Sequence, residues 1–184
     1  MSDDWLLDVR ERQKRKCQIL FTKTNPLLND LKAFLNQASH QAIILWALEL
    51  AGPVVEDLRD KYPRQNRPLL AYQAAVGWAK GKIKMPDAKR AILDCHGLAK
   101  ELSEPTDIAL CHAVGQACSC VHTAGHALGF VMYELTSIVF SFPENMWPAA
   151  CPVWVRYYED RLKYWMAHYD RSPWTWAGFL QTQS

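Results

Sequence analysis

Residues 40–62 read HQAIILWALELAGPVVEDLRDKY, and the spacing of their apolar members predicts an α-helix. Ile43, Ile44, Ala47, Leu48, Ala51, Val55 and Leu58 recur three and four apart, while Glu56, Asp57, Arg59 and Asp60 point away from that face. A half-buried strand would need strict alternation, which no segment of the chain sustains. Pro53 removes one backbone hydrogen bond and crowds the preceding turn, so a kink or a break into two helices is expected at Gly52-Pro53. Tyr62-Pro63 closes the segment.

The same pattern extends in both directions. Arg64-Gln65-Asn66 forms a turn, after which Leu69, Tyr72, Val76, Ala79 and Ile83 predict a helix capped by Asn66, with Pro68 in its first turn and an end near Gly81. Pro86 opens another, with Ala88, Ala91, Ile92, Cys95, Ala99 and Leu102 as its buried stripe. Towards the N-terminus, Asn25-Pro26 opens a short helix through Phe34 and Leu35. The basic run Arg10–Lys16 ahead of it carries Glu11 and no aromatic residues, so it reads as a solvated arm rather than a phosphate-binding element.

From Ile108 to Tyr133 there is no Asp, Glu, Lys or Arg. That run exceeds the roughly 20 residues a bilayer requires. It also contains His112, Gln116, Ser119, His122, Thr123 and His126, each unfavourable in hydrocarbon, so the expectation is a buried central helix and no membrane span. The last part changes character. Pro143, Pro148, Pro152 and Pro173 are expected to divide it into short pieces, with an amphipathic helix over Val153–Tyr169. It also holds five of the eight tryptophans: Trp147, Trp154, Trp165, Trp174 and Trp176. They either cover the bundle as a layer or form a partner surface, and both readings stay open.

Together these elements predict an all-α fold, a multi-helix bundle or short helical superhelix with a central uncharged helix, in one domain over residues 1–184. Within it, 1–24 is a basic arm, 40–140 the helical core and 141–184 a Trp/Pro-rich helical layer. A chain of 184 residues with 49% hydrophobic and 22% charged residues suits one ordinary core, and a net charge of +2 marks neither a nucleic-acid nor a membrane partner. The acidic start Met1-Ser2-Asp3-Asp4-Trp5 lacks the basic flank and apolar core of a signal peptide, so a cytoplasmic location is expected. In that reducing compartment Cys17, Cys95, Cys111, Cys118, Cys120 and Cys151 are expected as thiols.

Chemically, His122 and His126 stand out, since two imidazoles four apart on one helical face can share a metal ion. Position 123 is threonine rather than the glutamate that would activate water, so they are only weak metal candidates. Cys118, four residues before His122, makes a thiolate nucleophile conceivable on the same face. Against both stands the stripe Cys111, Gly115, Cys118, His122, Gly125 and Gly129, whose small side chains suggest close helix packing. There is no phosphate loop, nucleophile elbow or recognisable carboxylate pair, so no catalytic residue and no cofactor is expected.

Four segments occur in a telling order: Ile44–Ala51, then Lys61-Tyr62-Pro63 with Arg67-Pro68, then Gly81–Met85, then Val121–Gly129. In this order they resemble an all-helical family of bacterial immunity proteins from polymorphic toxin systems, over roughly residues 40–140. The resemblance implies a non-enzymatic protein that binds and neutralises a cognate toxin. It singles out Trp46, Glu49, Arg67, His96, His122 and His126 as signature positions without giving any of them a catalytic role. The tail after Phe142 and the Cys118-Ser119-Cys120 stretch fall outside it. An inhibitor steered onto a basic nuclease would be acidic, and this chain is not, so the toxin need not be a nuclease. A helical scaffold or homo-oligomer component is the alternative without a toxin, and a metal or thiol enzyme on the Cys118, His122 and His126 face is the third.

Overall fold

The computed structural model describes residues 4–181, so Met1, Ser2 and Asp3 of the acidic start, like positions 182–184, lie outside the described residues. The helix read from residues 40–62 is α3 (His40–Lys61). Ser39 starts it by accepting a hydrogen bond from the Ala42 N–H at 3.2 Å, which satisfies one of the donors a helix start leaves unpaired. The helix runs through Pro53 without breaking. The one bond lost there is absorbed by a helix already held on several sides.

Every residue from Ala42 to Leu48 is buried, so the first half of α3 is enclosed all round, and only its second half shows the two-faced character of its sequence. The reason is that α3 stands between two cores. On one side Ile43, Trp46, Ala47 and Leu50 pack with α1 (Asp4–Lys14), α7 (His126–Ser141) and α8 (Trp147–His168). Leu31 of α2 (Asn29–Gln37) joins them. On the other, Ile44, Leu48, Val55 and Leu58 meet α4 (Arg67–Ala79), α5 (Met85–Leu98) and one face of α6 (Pro105–Ser119). The C-terminal α9 (Gly178–Gln181) adds Leu180 to this second core. The architecture is an all-α bundle, with no strand among the described residues.

Four expectations are corrected. The uncharged run is not one helix. It is a hairpin of α6 and α7 joined by a turn at residues 120–125, where His122 N–H and Thr123 N–H both bond the Ser119 carbonyl. Folding back lets both apolar halves pack while His122 and Thr123 stay exposed in the turn. The central helix is therefore α3 rather than this run.

The basic arm is helical through Lys14, because Trp5, Leu6 and Val9 recur on one face and are buried. Trp5 stacks on Phe21 at 6.2 Å, and the buried Asn25 bonds the Trp5 carbonyl through Nδ2 and the Leu27 N–H through Oδ1. Arg10–Lys16 occupies the outer side and the end of that helix.

Pro148 and Pro152 do not fragment the tail, since α8 begins at Trp147 and contains both. Pro148 sits in the first turn, where its missing N–H has no helical partner to lose. Asn66 does precede α4, but its side chain makes no capping bond. Gly81 ends that helix at φ +69, with the Lys82 N–H bonded to the Gly77 carbonyl, a left-handed stop that favours glycine. The last segment is tied to the same end, where the Ala177 N–H meets the Ala79 carbonyl at 2.8 Å and Lys80 lies over the Trp174 ring.

Candidate functional site

His122 and His126 do not share a helical face, because one is in the turn and the other opens α7. Both still line one small pocket with Trp78, Met85, Lys89, Ile92, Leu93 and Ser119. His122 stacks on Trp78 at 5.9 Å, while His126 Nδ1 meets Gln116 Oε1 at 2.8 Å. No group of three or more His, Cys, Asp or Glu capable of holding a metal ion occurs among the described residues.

Two other histidines meet each other across the bundle: His96 Nδ1 lies 3.0 Å from His112 Nδ1. One ring must donate and the other accept, which requires at least one to be neutral. Burial first, and then the neighbouring His112 and His126, push the His96 imidazole down to about 4. Burial also lowers His112, and burial followed by His122 and Lys23 lowers His126.

Two helix glycines make room for this polar layer. A Cβ on Gly115 would stand 2.4 Å from the His96 ring, and one on Gly129 would stand 2.4 Å from Gln116 Oε1. At Gly115 and Gly129 the small-residue stripe makes room for specific side chains of the helices packed against it.

The other positions singled out by the resemblance each join separate elements of the fold. Trp46 is fully buried and its Nε1 donates to the Tyr158 carbonyl at 2.9 Å, joining α3 to α8. Glu49 receives a two-point contact from Arg161 at 2.6 and 3.0 Å and a further bond from Trp165 Nε1. Arg67 grips both oxygens of Glu101, linking the start of α4 to the residues after α5.

All six cysteines are unpaired. Cys118 is fully buried, and burial holds its thiol far above the ordinary range, the opposite of what an activated nucleophile needs.

The tail tryptophans divide between the two readings. Trp147 is buried, Trp165 lies against the first core, and Trp174 and Trp176 lie against the second. Trp154 is 39% exposed, and it shares the outer side of α8 with Val153 at 65%, Tyr157 at 45% and Tyr164 at 42%. The inner side carries Trp147, Cys151, Val155, Tyr158 and Leu162, so α8 has apolar side chains on both sides, the outer row being interrupted by Asp160, and only the inner side is covered. Trp154 and Tyr157 meet edge to face at 5.9 Å, and Arg161 caps the Tyr164 ring at 4.4 Å.

Beside this row opens a cleft of about 420 Å³ between α3, α7 and α8, lined by Leu50, Pro53, Val54, Asp57, Glu134, Val153, Trp154 and Tyr157. Glu134 is buried and its Oε2 has no hydrogen-bond partner. Burial raises its carboxyl to about 8, partly opposed by Tyr158, so it is mostly protonated at neutral pH. The Tyr158 hydroxyl, itself without a completed hydrogen bond, is held well above its ordinary range by burial and by Glu134.

Sequence reasoning missed Glu134, although a signal was present: it is the one Asp, Glu, Lys or Arg between Ile108 and Pro143. A lone carboxylate within so long an apolar stretch predicts a buried acid. The His96 and His112 pair had no comparable signal, since it joins two helices through their packing.

A family model described as "Imm-5 like putative immunity protein" matches residues 33–155, wider on both sides than the resemblance read from the motifs. No curated protein and no solved structure matches the chain.

Proposed function

Because the chain belongs to the Imm-5-like immunity-protein family, we propose that it neutralises a cognate bacterial toxin by binding it, without catalysis. The observation that carries this reading is the outer side of α8. Val153, Trp154, Tyr157 and Tyr164 are left exposed on a helix whose other side already fills the core. Aromatic residues of this kind contribute large contact area at little entropic loss and dominate protein interfaces. Tyr157 and Tyr164 lie beyond the matched residues, so the row is suited to discriminating one toxin from another. The site of action is the bacterial cytoplasm, where the six free thiols are stable.

The signature residues are assigned to the framework on this reading. Trp46, Glu49 and Arg67 fix helix pairs, His96 fills the space over Gly115, and His122 and His126 shape the turn between α6 and α7. The absence of a strongly acidic charge suits a toxin held through aromatic contacts more than one steered by charge alone.

The test is co-expression with the product of the adjacent gene, scored for survival and for a stable complex. Rescue with a complex that Trp154→Ser plus Tyr157→Ser weakens at unchanged melting temperature is expected. With a demonstrably toxic neighbour, neither rescue nor binding rejects that pairing. Self-association through α8 without toxin binding would favour a homo-oligomeric scaffold instead.

A further inference from the structure

A buried carboxyl without a partner is unfavourable, and proteins normally pair it or replace it with an apolar side chain. Glu134 has only Tyr158 as a close polar neighbour, its Oε2 completes no hydrogen bond, and it borders an open cleft whose walls are, apart from Asp57, apolar and aromatic. At the mouth stands Asp57, exposed and without an ion pair among the described residues. A ligand for this cleft needs an apolar stem for Leu50, Val54, Val153, Trp154 and Tyr157, and a donor-rich head for the two acids. An anion is repelled, and a purely apolar ligand leaves the two acids of the cleft without a counter-charge.

We propose that this cleft receives an arginine side chain of the bound toxin, with its alkyl stem against Trp154 and Tyr157 and its guanidinium between Glu134 and Asp57. The proposal rests on the immunity reading and specifies its chemistry. Arginine suits the cleft better than lysine because the guanidinium is planar, weakly hydrated, stacks on aromatic faces and meets carboxylates with two parallel bonds. The cleft lies next to the exposed α8 row, so one partner surface reaches both.

Arrival of the cation has a measurable consequence. The guanidinium favours the ionised form of Glu134, whose proton then passes to solvent, so binding is linked to proton release. Tyr158 from α8 is the polar group that acts on Glu134, and Tyr157 from α8 and Asp57 from α3 line the same cleft. None of them supplies a positive charge that would ionise Glu134 in the free protein.

The probe is arginine blocked as its N-acetyl N-methylamide, titrated into the full chain while the methyl signals of Val54 and Val153 are followed by NMR. Blocked citrulline, which has the same shape without the charge, is the control. Arginine is expected to shift both residues, to bind at least about tenfold more tightly than citrulline, and to bind about tenfold more tightly at pH 8 than at pH 6. Glu134→Gln should abolish the pH dependence, and Asp57→Asn, on an exposed residue that does not threaten folding, should weaken binding several-fold.

Equal uptake of the two probes, no shift at either valine, or a pH dependence that survives in Glu134→Gln overturns the proposal. Toxin rescue without arginine uptake sinks the cleft and spares the immunity reading. Arginine uptake without rescue supports the cleft's chemistry and counts against the toxin as its source.

Discussion

Replacing a helix glycine with alanine ordinarily stabilises a protein by about 1 kcal/mol, because glycine loses more backbone freedom on folding. Gly115→Ala should do the reverse. The new Cβ would lie 2.4 Å from His96 Cε1 and Nε2 and 2.8 Å from Cδ2, well inside van der Waals contact. The ring cannot simply swing aside, because its Nδ1 is engaged with His112 Nδ1 at 3.0 Å. Overpacking of this kind costs about 1–3 kcal/mol, and disturbing the histidine contact costs about 1 kcal/mol more. After the gain in helix propensity, a net destabilisation of about 2 kcal/mol is expected, or about 4–8 °C in Tm for a chain of this size.

The assay is urea and thermal unfolding followed by circular dichroism. Gly97→Ala is the control, since a Cβ there meets nothing within 4 Å, and it should leave stability unchanged or raise it slightly. In a His96→Ala background Gly115→Ala should become neutral or stabilising, which makes the coupling between the two sites about 2–3 kcal/mol. A Gly115→Ala protein as stable as the parent, or a double-mutant cycle without coupling, would refute the claim that Gly115 exists to seat His96.

The pH dependence of stability should show a maximum near about pH 6.5. The histidines have lowered folded-state values, with His96 near 4, so the unfolded chain binds protons first and stability falls as pH drops below the ordinary 6.5. Glu134 is the opposite case, raised from 4.5 to about 8, so its contribution is fully present below 4.5 and lost as pH rises through 8. Denaturant midpoints from pH 4 to 9 check this, and Glu134→Gln, which removes a loss running from pH 4.5 to 8, should flatten the alkaline side, steepen the acid side and move the maximum upward. Glu134→Met, which replaces an unpaired buried acid with an apolar side chain, should raise stability by about 1 kcal/mol, measured by the same unfolding assay. Native-state alkylation followed by mass spectrometry should modify Cys17 first and leave Cys118 and Cys120 unmodified until unfolding, because only Cys17 is partly exposed.

Most of the helical content was written in local patterns. The spacing of Ile43, Ala47, Leu48, Val55 and Leu58 marks α3, and Pro68, Pro86 and Gly81 fall at helix boundaries, because periodicity and backbone preference act within a few residues. The family resemblance was likewise legible, since its motifs are contiguous strings. Local pattern failed where packing overrode it. Ile108–Tyr133 carries no proline and no charge to announce its turn, and what bends it is the burial gained when α6 and α7 fold back on each other. The same holds for Trp5, Leu6 and Val9, whose burial turned a charged arm into a packed helix.

The candidate site shows the division most clearly. Sequence alone determined that His122, His126 and Cys118 lie close along the chain, and that a single acid interrupts the long uncharged stretch. Tertiary structure decided that the three do not share a face, that His96 meets His112 across two helices, and that Glu134 borders a cleft beside Trp154 and Tyr157. The physical reason is one of range. Helix formation is set by residues three and four apart, whereas burial, proton affinity and the exposure of α8 depend on which helices pack together over the whole chain.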